Sequence, residues 1–348
     1  MGVIVRSMVS IVPKETIGLQ EITERFGEEN AIRISKTTGV NKMHIANARS
    51  TLELAYEAGV YAIQKAGITA QDIDGLLMVT QTPEYRLPST ACILQDKLGM
   101  GKSTFALDIG LGCSGFPYGF LTAKSLIESK ILNRVLLICG DVTSMNAAPE
   151  DQSTYPLFAD GFGAVIIEEC SNVSGSMLGY AFGTDGSGWK NLVIHTGLSH
   201  HKTLESFYTS GDNERYPQVQ YPDYVYMDGS QIFTFCLREV PPMVEKALEN
   251  AKLSKDEIDV YCFHQANGFL INHIRNKIGI PKEKVPMCMD RYGNTSSSSA
   301  ILAACDYFRD KPEAKKCKIA FVAFGVGYSW STVIMDMDSS VIGEIQEV

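Results

Sequence analysis

Three polar side chains stand in settings that suit a single kind of chemistry. Cys113 lies in Leu111-Gly112-Cys113-Ser114-Gly115-Phe116-Pro117, between a run that reads as a strand and one that reads as a helix. His264 closes the apolar run Val260-Tyr261-Cys262-Phe263, and Asn294 follows Arg291-Tyr292-Gly293 just ahead of another helix-like run. A thiol, an imidazole and an amide, each at the end of an apolar element, point to covalent acyl chemistry on a cysteine. Glycines flank the turn around Cys113, and a helix should begin just after it. The positive end of that helix favours thiolate over thiol. The plainer readings are a core histidine at a strand end for His264 and a turn or helix-cap asparagine for Asn294.

The elements that must position these residues alternate. Residues 51–66 have helical apolar spacing, and residues 74–80 form a short continuous apolar run, as in a strand buried on both faces. A helix at about 88–98, a strand at 104–109, a helix at 115–129 and a strand at 134–139 follow. The alternation predicts an α/β fold with helices covering a central sheet.

An internal repeat sharpens this. The stretch from Ala62 through Asp74 to Val79 resembles the one from Ala247 through Asp259 to His264. Asn133-Arg134-Val135-Leu136-Leu137-Ile138 likewise resembles Cys317-Lys318-Ile319-Ala320-Phe321-Val322 at nearly the same offset. Two similar halves are expected, 1–185 and 186–348, the first carrying Cys113 and the second His264 and Asn294. A site drawing on both belongs at their junction. The segment at about 186–226 interrupts the second half with little periodicity. Its aromatic residues suit packing against a substrate or a second subunit, as a lid or interface; partial disorder is the alternative.

Composition narrows the classes. Charged residues are 20% of the 348, as in an ordinary soluble enzyme, and the net charge of −9 argues against general nucleic-acid binding. No apolar run approaches the ~18 residues of a membrane span. Met1-Gly2-Val3-Ile4-Val5-Arg6 reads as a first strand rather than a signal peptide. Nine cysteines, mostly inside apolar patterns, suit reduced thiols in the cytoplasm better than a disulfide framework. No metal-ligand spacing appears. His200-His201 is the nearest approach and reads as a surface pair, so neither metal nor cofactor is expected.

Five segments in this order resemble the β-ketoacyl-acyl-carrier-protein synthase III family of thiolase-like condensing enzymes, over nearly the whole chain. They are the Cys113 turn, Phe158-Ala159-Asp160-Gly161-Phe162-Gly163-Ala164, His264-Gln265-Ala266-Asn267, Gly293-Asn294-Thr295-Ser296 and Phe324-Gly325-Val326-Gly327-Tyr328-Ser329-Trp330. The resemblance implies a thiolase-like five-layered αβαβα sandwich of two duplicated halves, usually a homodimer. It implies that Cys113 carries the acyl group, that the backbone N–H groups of Cys113 and Val326 form the oxyanion hole, and that His264 and Asn294 hydrogen-bond the thioester oxygen of a decarboxylating malonyl unit. Phe158, Phe233, Asn267 and Phe269 are expected at the substrate, with Gln265 and Asn267 orienting the backbone and Asp160 and Gly161 structural. Acyl-CoA or acyl-carrier-protein thioesters would be the substrates.

Departures from the family pattern concern delivery. Arg33 stands at about the place of a tryptophan that stacks on adenine, and Gln152 at about that of the arginine opposite. Ser230 replaces a pocket asparagine, Phe269 an arginine, and Val326 the middle glycine of its turn. Leu87 takes the place of a bulky aromatic that closes the acyl pocket from the partner subunit. These changes weigh against acetyl-CoA priming and towards a starter that is larger or borne on a carrier protein. Carrier proteins are acidic, and Arg275, Lys277, Lys282 and Lys284 form a candidate docking patch, with a solvated face as the plainer reading. Acyl transfer to oxygen or nitrogen without decarboxylation, and a non-catalytic partner subunit, remain alternatives. A cysteine hydrolase and a biosynthetic thiolase are disfavoured, the latter because Cys305 and Cys317 do not lie in glycine turns.

Overall fold

The computed structural model describes residues 2–170, 177–311 and 316–348. The expected elements form close to their expected bounds: helices Thr51–Ala66, Thr90–Lys97 and Gly115–Glu128, and strands Gly75–Val79, Phe105–Ile109 and Arg134–Asp141. The helix Thr51–Ala66 shows why. Ser50 caps its start by accepting from the Glu53 N–H, while the Glu53 side chain returns to the Ser50 backbone. Gly67, at φ 64°, ends it in the left-handed region. Leu54, Ala55, Ala58 and Ala62 supply the buried stripe between.

Two sheets carry the fold. The first runs in the order Phe105–Ile109, Gly75–Val79, Arg134–Asp141, Gly161–Cys170, Gly2–Val12 and Ile342–Glu347. The second runs Val260–Phe263, Lys316–Gly325, Ser329–Asp338 and Met177–Thr184. Both repeat one pattern. A parallel pair (75–79 with 134–141, 260–263 with 316–325) is followed by two antiparallel pairings in the same order. The matched aspartates of the repeat do one job. Asp74 accepts from the N–H groups of Asn133 and Arg134, and Asp259 from that of Lys318, each fixing the start of the neighbouring parallel strand.

The cut expected at residue 185 does not follow the sheets. Strand Met177–Thr184, expected in the first half, joins the second sheet, and the final strand Ile342–Glu347 runs parallel to Gly2–Val12 in the first. The strands are apolar on both faces because both are covered. Leu76 and Met78 face the helices Thr51–Ala66 and Thr90–Lys97, whereas Leu77 and Val79 join the core between the sheets. That central core holds the helices Gly115–Glu128 and Ser299–Arg309. In the second sheet Tyr261, Phe263 and Val322 face the outer helices Gly229–Ala251 and Gly268–Ile278. The result is five layers, αβαβα, with a central helix entering from each half.

The segment 186–226 is not structureless. It contains a short 3-10 helix Gly186–Asn191, helices Leu204–Thr209 and Asp212–Arg215, and strand Leu192–Val193 paired with Tyr226–Met227. Its aromatics pack largely on one another, with Trp189, His195 and Tyr216 around buried Phe207. His201, expected at the surface, is buried and bonded to Asp212 at 2.7 Å, with Arg215 4.0 Å from the same carboxylate. His200, His201 and Asp212 could together hold a metal ion. The direct 2.7 Å bond and the nearby guanidinium instead read as a hydrogen-bonded clamp on the segment. Among the described residues no helix is long and apolar enough to cross a membrane.

Candidate active site

Cys113 sits where the strand Phe105–Ile109 turns into the first central helix. Its place is set by close packing. A side chain at Gly325 would put Cβ 2.6 Å from Cys113 Cβ and 3.0 Å from Sγ, so only glycine lets that strand end cover the thiol. Ser114 Oγ lies 2.6 Å from Ser329 Oγ, and Ser331 donates to the Ser114 carbonyl, tying the turn to the second sheet.

The thiolate expected from the helix terminus is not the resting state. Burial, reinforced by the Asp141 carboxylate, pushes the Cys113 thiol up to about 11. The Ser296 hydroxyl and the backbone N–H groups of Val326 and Cys113 act the other way by hydrogen-bonding sulfur. Those two N–H groups, the pair expected to form the oxyanion hole, thus lie beside the thiol.

His264 and Asn294 reach the same place from the second half. His264 is buried, and burial lowers its imidazole to about 4, so the ring is neutral at physiological pH. Ser299 Oγ lies 2.6 Å from Nδ1 and also accepts from the Gln265 N–H, leaving Nε2 for the cavity. Asn294 accepts from the Ser296 N–H through Oδ1 at 3.0 Å, which frees its NH₂ to donate. Ser296 adopts φ 50°, an uncommon conformation for a residue other than glycine, between Asn294 and the thiol.

Two cavities meet at Cys113. One, about 510 Å³, is lined by His264, Asn294, Asn267, Phe233 and Phe269 and opens past Ser230 and Thr37. The other, about 210 Å³, is lined by Thr143, Asn146, Asp141, Ile194 and Val326 but by neither His264 nor Asn294. Phe158 borders both. The larger cavity reaches His264 and Asn294 on one side of the thiol; the smaller lies on the other side, between Asp141 and the segment Leu192–Ile194.

The other expected residues divide. Asn267 lines the larger cavity and caps the helix Gly268–Ile278 by accepting from the Leu270 N–H. Gln265 braces the backbone at Phe263 and Cys288. Asp160, its carboxyl raised to about 6 chiefly by burial, ties Ala46 to Ser144. Phe233 and Phe269 stack in the lining of the larger cavity, ring centroids 5.6 Å apart. Leu87 is 83% exposed and lines neither cavity of its own chain. Arg33 lies 3.5 Å from Gln152, so the two positions expected to flank an adenine meet each other.

The basic patch is largely spent internally. Arg275 binds Asn272 and the Ile280 carbonyl, Lys277 the Leu237 carbonyl, and Lys284 the carbonyls of Asp256 and Ile258. Asp141, Ser296 and Ser299 escaped the sequence reading. Asp141 had a signal, a carboxylate ending an apolar strand; the serines were hidden in a run of four.

Known proteins resemble the chain along most of its length. The description "3-Oxoacyl-[acyl-carrier-protein (ACP)] synthase III" matches residues 107–186, and its C-terminal counterpart residues 248–337. A β-ketoacyl-[acyl-carrier-protein] synthase III of Trichodesmium erythraeum is 33% identical over 335 residues, 96% of this chain and 98% of the relative. The chain belongs to this synthase III family. One from Staphylococcus saprophyticus is 33% identical over 90% of this chain and 92% of its own. The solved 3-oxoacyl-(acyl-carrier protein) synthase of Burkholderia xenovorans LB400 superposes with a TM-score of 0.92 at 34% identity, covering 100% of this chain and 97% of that one. The family's thiolase fold is therefore the fold of this protein, which is a condensing enzyme of the acyltransferase type.

Proposed function

We propose that this protein joins an acyl starter to a malonyl thioester by decarboxylation, through an S-acyl intermediate on Cys113. One observation carries the reading: the thiol stands between a chamber that can keep an acyl group and a tunnel that ends at His264 and Asn294. In the first half-reaction the Cys113 sulfur bonds to the starter carbonyl, the old C–S bond breaks, and the departing carrier thiol takes the cysteine's proton. The N–H groups of Cys113 and Val326 steady the oxyanion.

In the second, a malonyl thioester enters by the tunnel. Its C–C bond to carboxylate breaks, CO₂ leaves, and the electron pair becomes an enolate. With the Ser299 hydroxyl turned to hydrogen-bond Nδ1 instead of the Ser296 carbonyl, His264 carries its proton on Nε2 and can donate it to the enolate oxygen beside the Asn294 NH₂. The enolate carbon attacks the S-acyl carbonyl, and collapse returns the cysteine thiolate, which takes up a proton. Neutral His264 suits this role because it need not lose a charge to donate. The product is a β-ketoacyl thioester, as in fatty-acid or polyketide-like synthesis. No metal or cofactor takes part in this scheme.

The remaining assignments follow the same reading. The starter arrives on a carrier protein or is larger than acetyl, supported by the Arg33–Gln152 contact where an adenine would be gripped. An acyl carrier protein docks beside the tunnel mouth. Exposed Lys277 lies about 12 Å along its helix from Phe269, and Lys282 is exposed just beyond. Arg275 and Lys284 serve mainly to hold their own loops. Two copies pair through the edge strand Phe105–Ile109, where Phe105 and Leu107 are 39% and 40% exposed, and Leu87 reaches the partner's chamber. The protein acts in the cytoplasm, a reading supported by cysteines that mostly lie buried in apolar packing.

Intact-protein mass spectrometry with a panel of acyl-CoA and acyl-carrier thioesters tests the core of this. A stable acyl adduct on the parent, absent from Cys113→Ala, is expected; equal labelling of both would remove Cys113 as nucleophile. Release of ¹⁴CO₂ from labelled malonyl thioester separates condensation from plain acyl transfer. Sedimentation velocity of Leu107→Glu should show a monomer where the parent is a dimer.

A further inference from the structure

Ser296 is linked to all three residues assigned to the reaction. Its backbone N–H donates to Asn294 Oδ1 at 3.0 Å, and its carbonyl lies 2.9 Å from Ser299 Oγ, the hydroxyl that also meets His264 Nδ1. Its own hydroxyl hydrogen-bonds the Cys113 sulfur and makes no other hydrogen bond among the described residues. Ser296 and Cys113 line the smaller cavity together. The backbone that makes these links possible stands at φ 50°, and Ser297 beside it is anchored on the Asp141 carboxylate through its hydroxyl and its N–H. The sulfur needs a donor there. The charge that acts on it is that of Asp141, which opposes thiolate, and His264 is neutral. The N–H groups of Cys113 and Val326 also bond the resting sulfur, but in the proposed reaction they turn to the oxyanion. The Ser296 hydroxyl is then the donor left to the sulfur.

We propose that Ser296 is a further catalytic residue, whose hydroxyl donates to the Cys113 sulfur while that sulfur attacks the starter and again when it is expelled after condensation. The proposal deepens the proposed function and rests on its assignment of Cys113 as the acylated nucleophile. The serine keeps its own proton throughout. The cysteine's proton leaves on the departing carrier thiol, and the thiolate expelled later takes up another. A hydrogen bond to a charged acceptor shifts a thiol equilibrium by about ten- to a hundredfold. A less basic thiolate is also a weaker nucleophile, which offsets about half of that on a logarithmic scale, so the net gain in rate is about three- to tenfold.

Ser296→Gly removes the hydroxyl and leaves a backbone at ease with φ 50°, so the N–H that holds Asn294 stays in place. Two rates are compared between the full-length parent and the variant, both read on the Cys113 peptide by mass spectrometry. One is acylation by the fastest-loading thioester of the acyl-CoA and acyl-carrier panel; the other is alkylation by iodoacetamide. Both should fall about three- to tenfold in Ser296→Gly, with the alkylation rates of parent and variant rising with pH in parallel. Ser296→Ala, which lacks the hydroxyl but strains the backbone, should lose as much in alkylation. Iodoacetamide needs no alignment with a starter, so a merely structural loss would slow acylation and leave alkylation at the parent rate, which overturns the proposal. Alkylation that slows while acylation does not overturns it as well. Unfolded chains label buried Cys305 together with Cys113 in a fast separate phase, so the slower phase reports the folded protein in either variant. If the parent gains no acyl adduct on Cys113 while alkylation still slows in the variants, the Cys113 reading falls and the catalytic role falls with it, leaving only the contact.

Discussion

The two turns that enter the central helices occupy matching places in the duplicated fold, yet they are built on opposite principles. The Cys113 turn is made of small residues packed under the bare backbone of Gly325, and its chemistry lies in one side chain. The Asn294 turn is a ladder of hydroxyls. Ser297 donates to Asp141 and Ser298 to the Gly161 carbonyl, tying the second half to the first sheet, while the Ser299 hydroxyl lies between the Ser296 carbonyl and His264 Nδ1. The first turn needs an unusual electrostatic setting and tolerates no added atoms. The second needs accurate aim, because a neutral amide and a neutral imidazole act only through direction.

Removing the side chain of each turn should separate these roles. Cys113→Ala should lower condensation by about 10⁴-fold or more, since no other group can hold the acyl chain. Asn294→Ala and His264→Ala should each lower ¹⁴CO₂ release by about 10²–10³-fold, the usual cost of one oxyanion donor, while acylation of Cys113 persists. If His264→Ala decarboxylates at the parent rate, its assigned place is wrong. If either variant fails to acylate, the two turns do not divide the labour as described.

The two turns also differ in how protons govern them. Burial holds His264 at about 4, below the ordinary 6.5, so decarboxylation should stay flat from pH 8 to about 5 and fall only as pH nears 4. An inflection near 6.5 would show a solvated imidazole. The linkage has a matching sign. A depressed folded value means stability is fully present above 6.5 and is lost as pH falls towards 4, where the unfolded chain takes a proton the fold refuses. Cys113, at about 11, should react slowly with iodoacetamide at pH 7, rising about tenfold per pH unit through pH 10. A plateau reached by pH 8 would mean the helix terminus outweighs burial.

Ser299 offers a finer cut. It touches the imidazole from behind, 2.6 Å from Nδ1, and not from the cavity. Ser299→Ala should lower kcat for decarboxylation about tenfold with little change in KM, because the ring loses the partner that sets its tautomer. A purely structural loss would instead lower the active fraction and leave the pH profile of the remainder unchanged.

Much of this was legible in the sequence, for identifiable reasons. The helix Thr51–Ala66 has its cap, its apolar stripe and its terminal glycine in one window, so local rules suffice. The Cys113, His264 and Asn294 motifs were visible because each pairs a reactive residue with glycines or with an apolar run. The resting thiol was not, because Asp141 and the burial that raise it come from distant chain. Nor was the strand Met177–Thr184 placed correctly. Its affiliation depends on pairing with Ser329–Asp338, a contact no local pattern encodes. That Arg275, Lys277 and Lys284 each reach a backbone carbonyl, while Lys282, among the described residues, does not, was not legible, because sequence does not show where a long basic side chain turns.

The repeat itself supports the smallest prediction. Asp74 accepts from the N–H groups of both Asn133 and Arg134, whereas exposed Asp259 accepts, among the described residues, from that of Lys318 alone. Asp74→Ala should therefore cost about 1–2 kcal/mol in urea unfolding, the usual penalty for leaving backbone donors unpaired at a strand start. Asp259→Ala should cost less, since one exposed N–H regains water. Neither carboxylate reaches either cavity, so kcat of the folded fraction should not move in either variant. Equal losses would mean that the duplicated halves still share their stability evenly. An unequal pair, larger at Asp74, would place the sturdier anchor in the half that carries the nucleophile, where the Gly325 contact leaves the least room for the strand ends to shift.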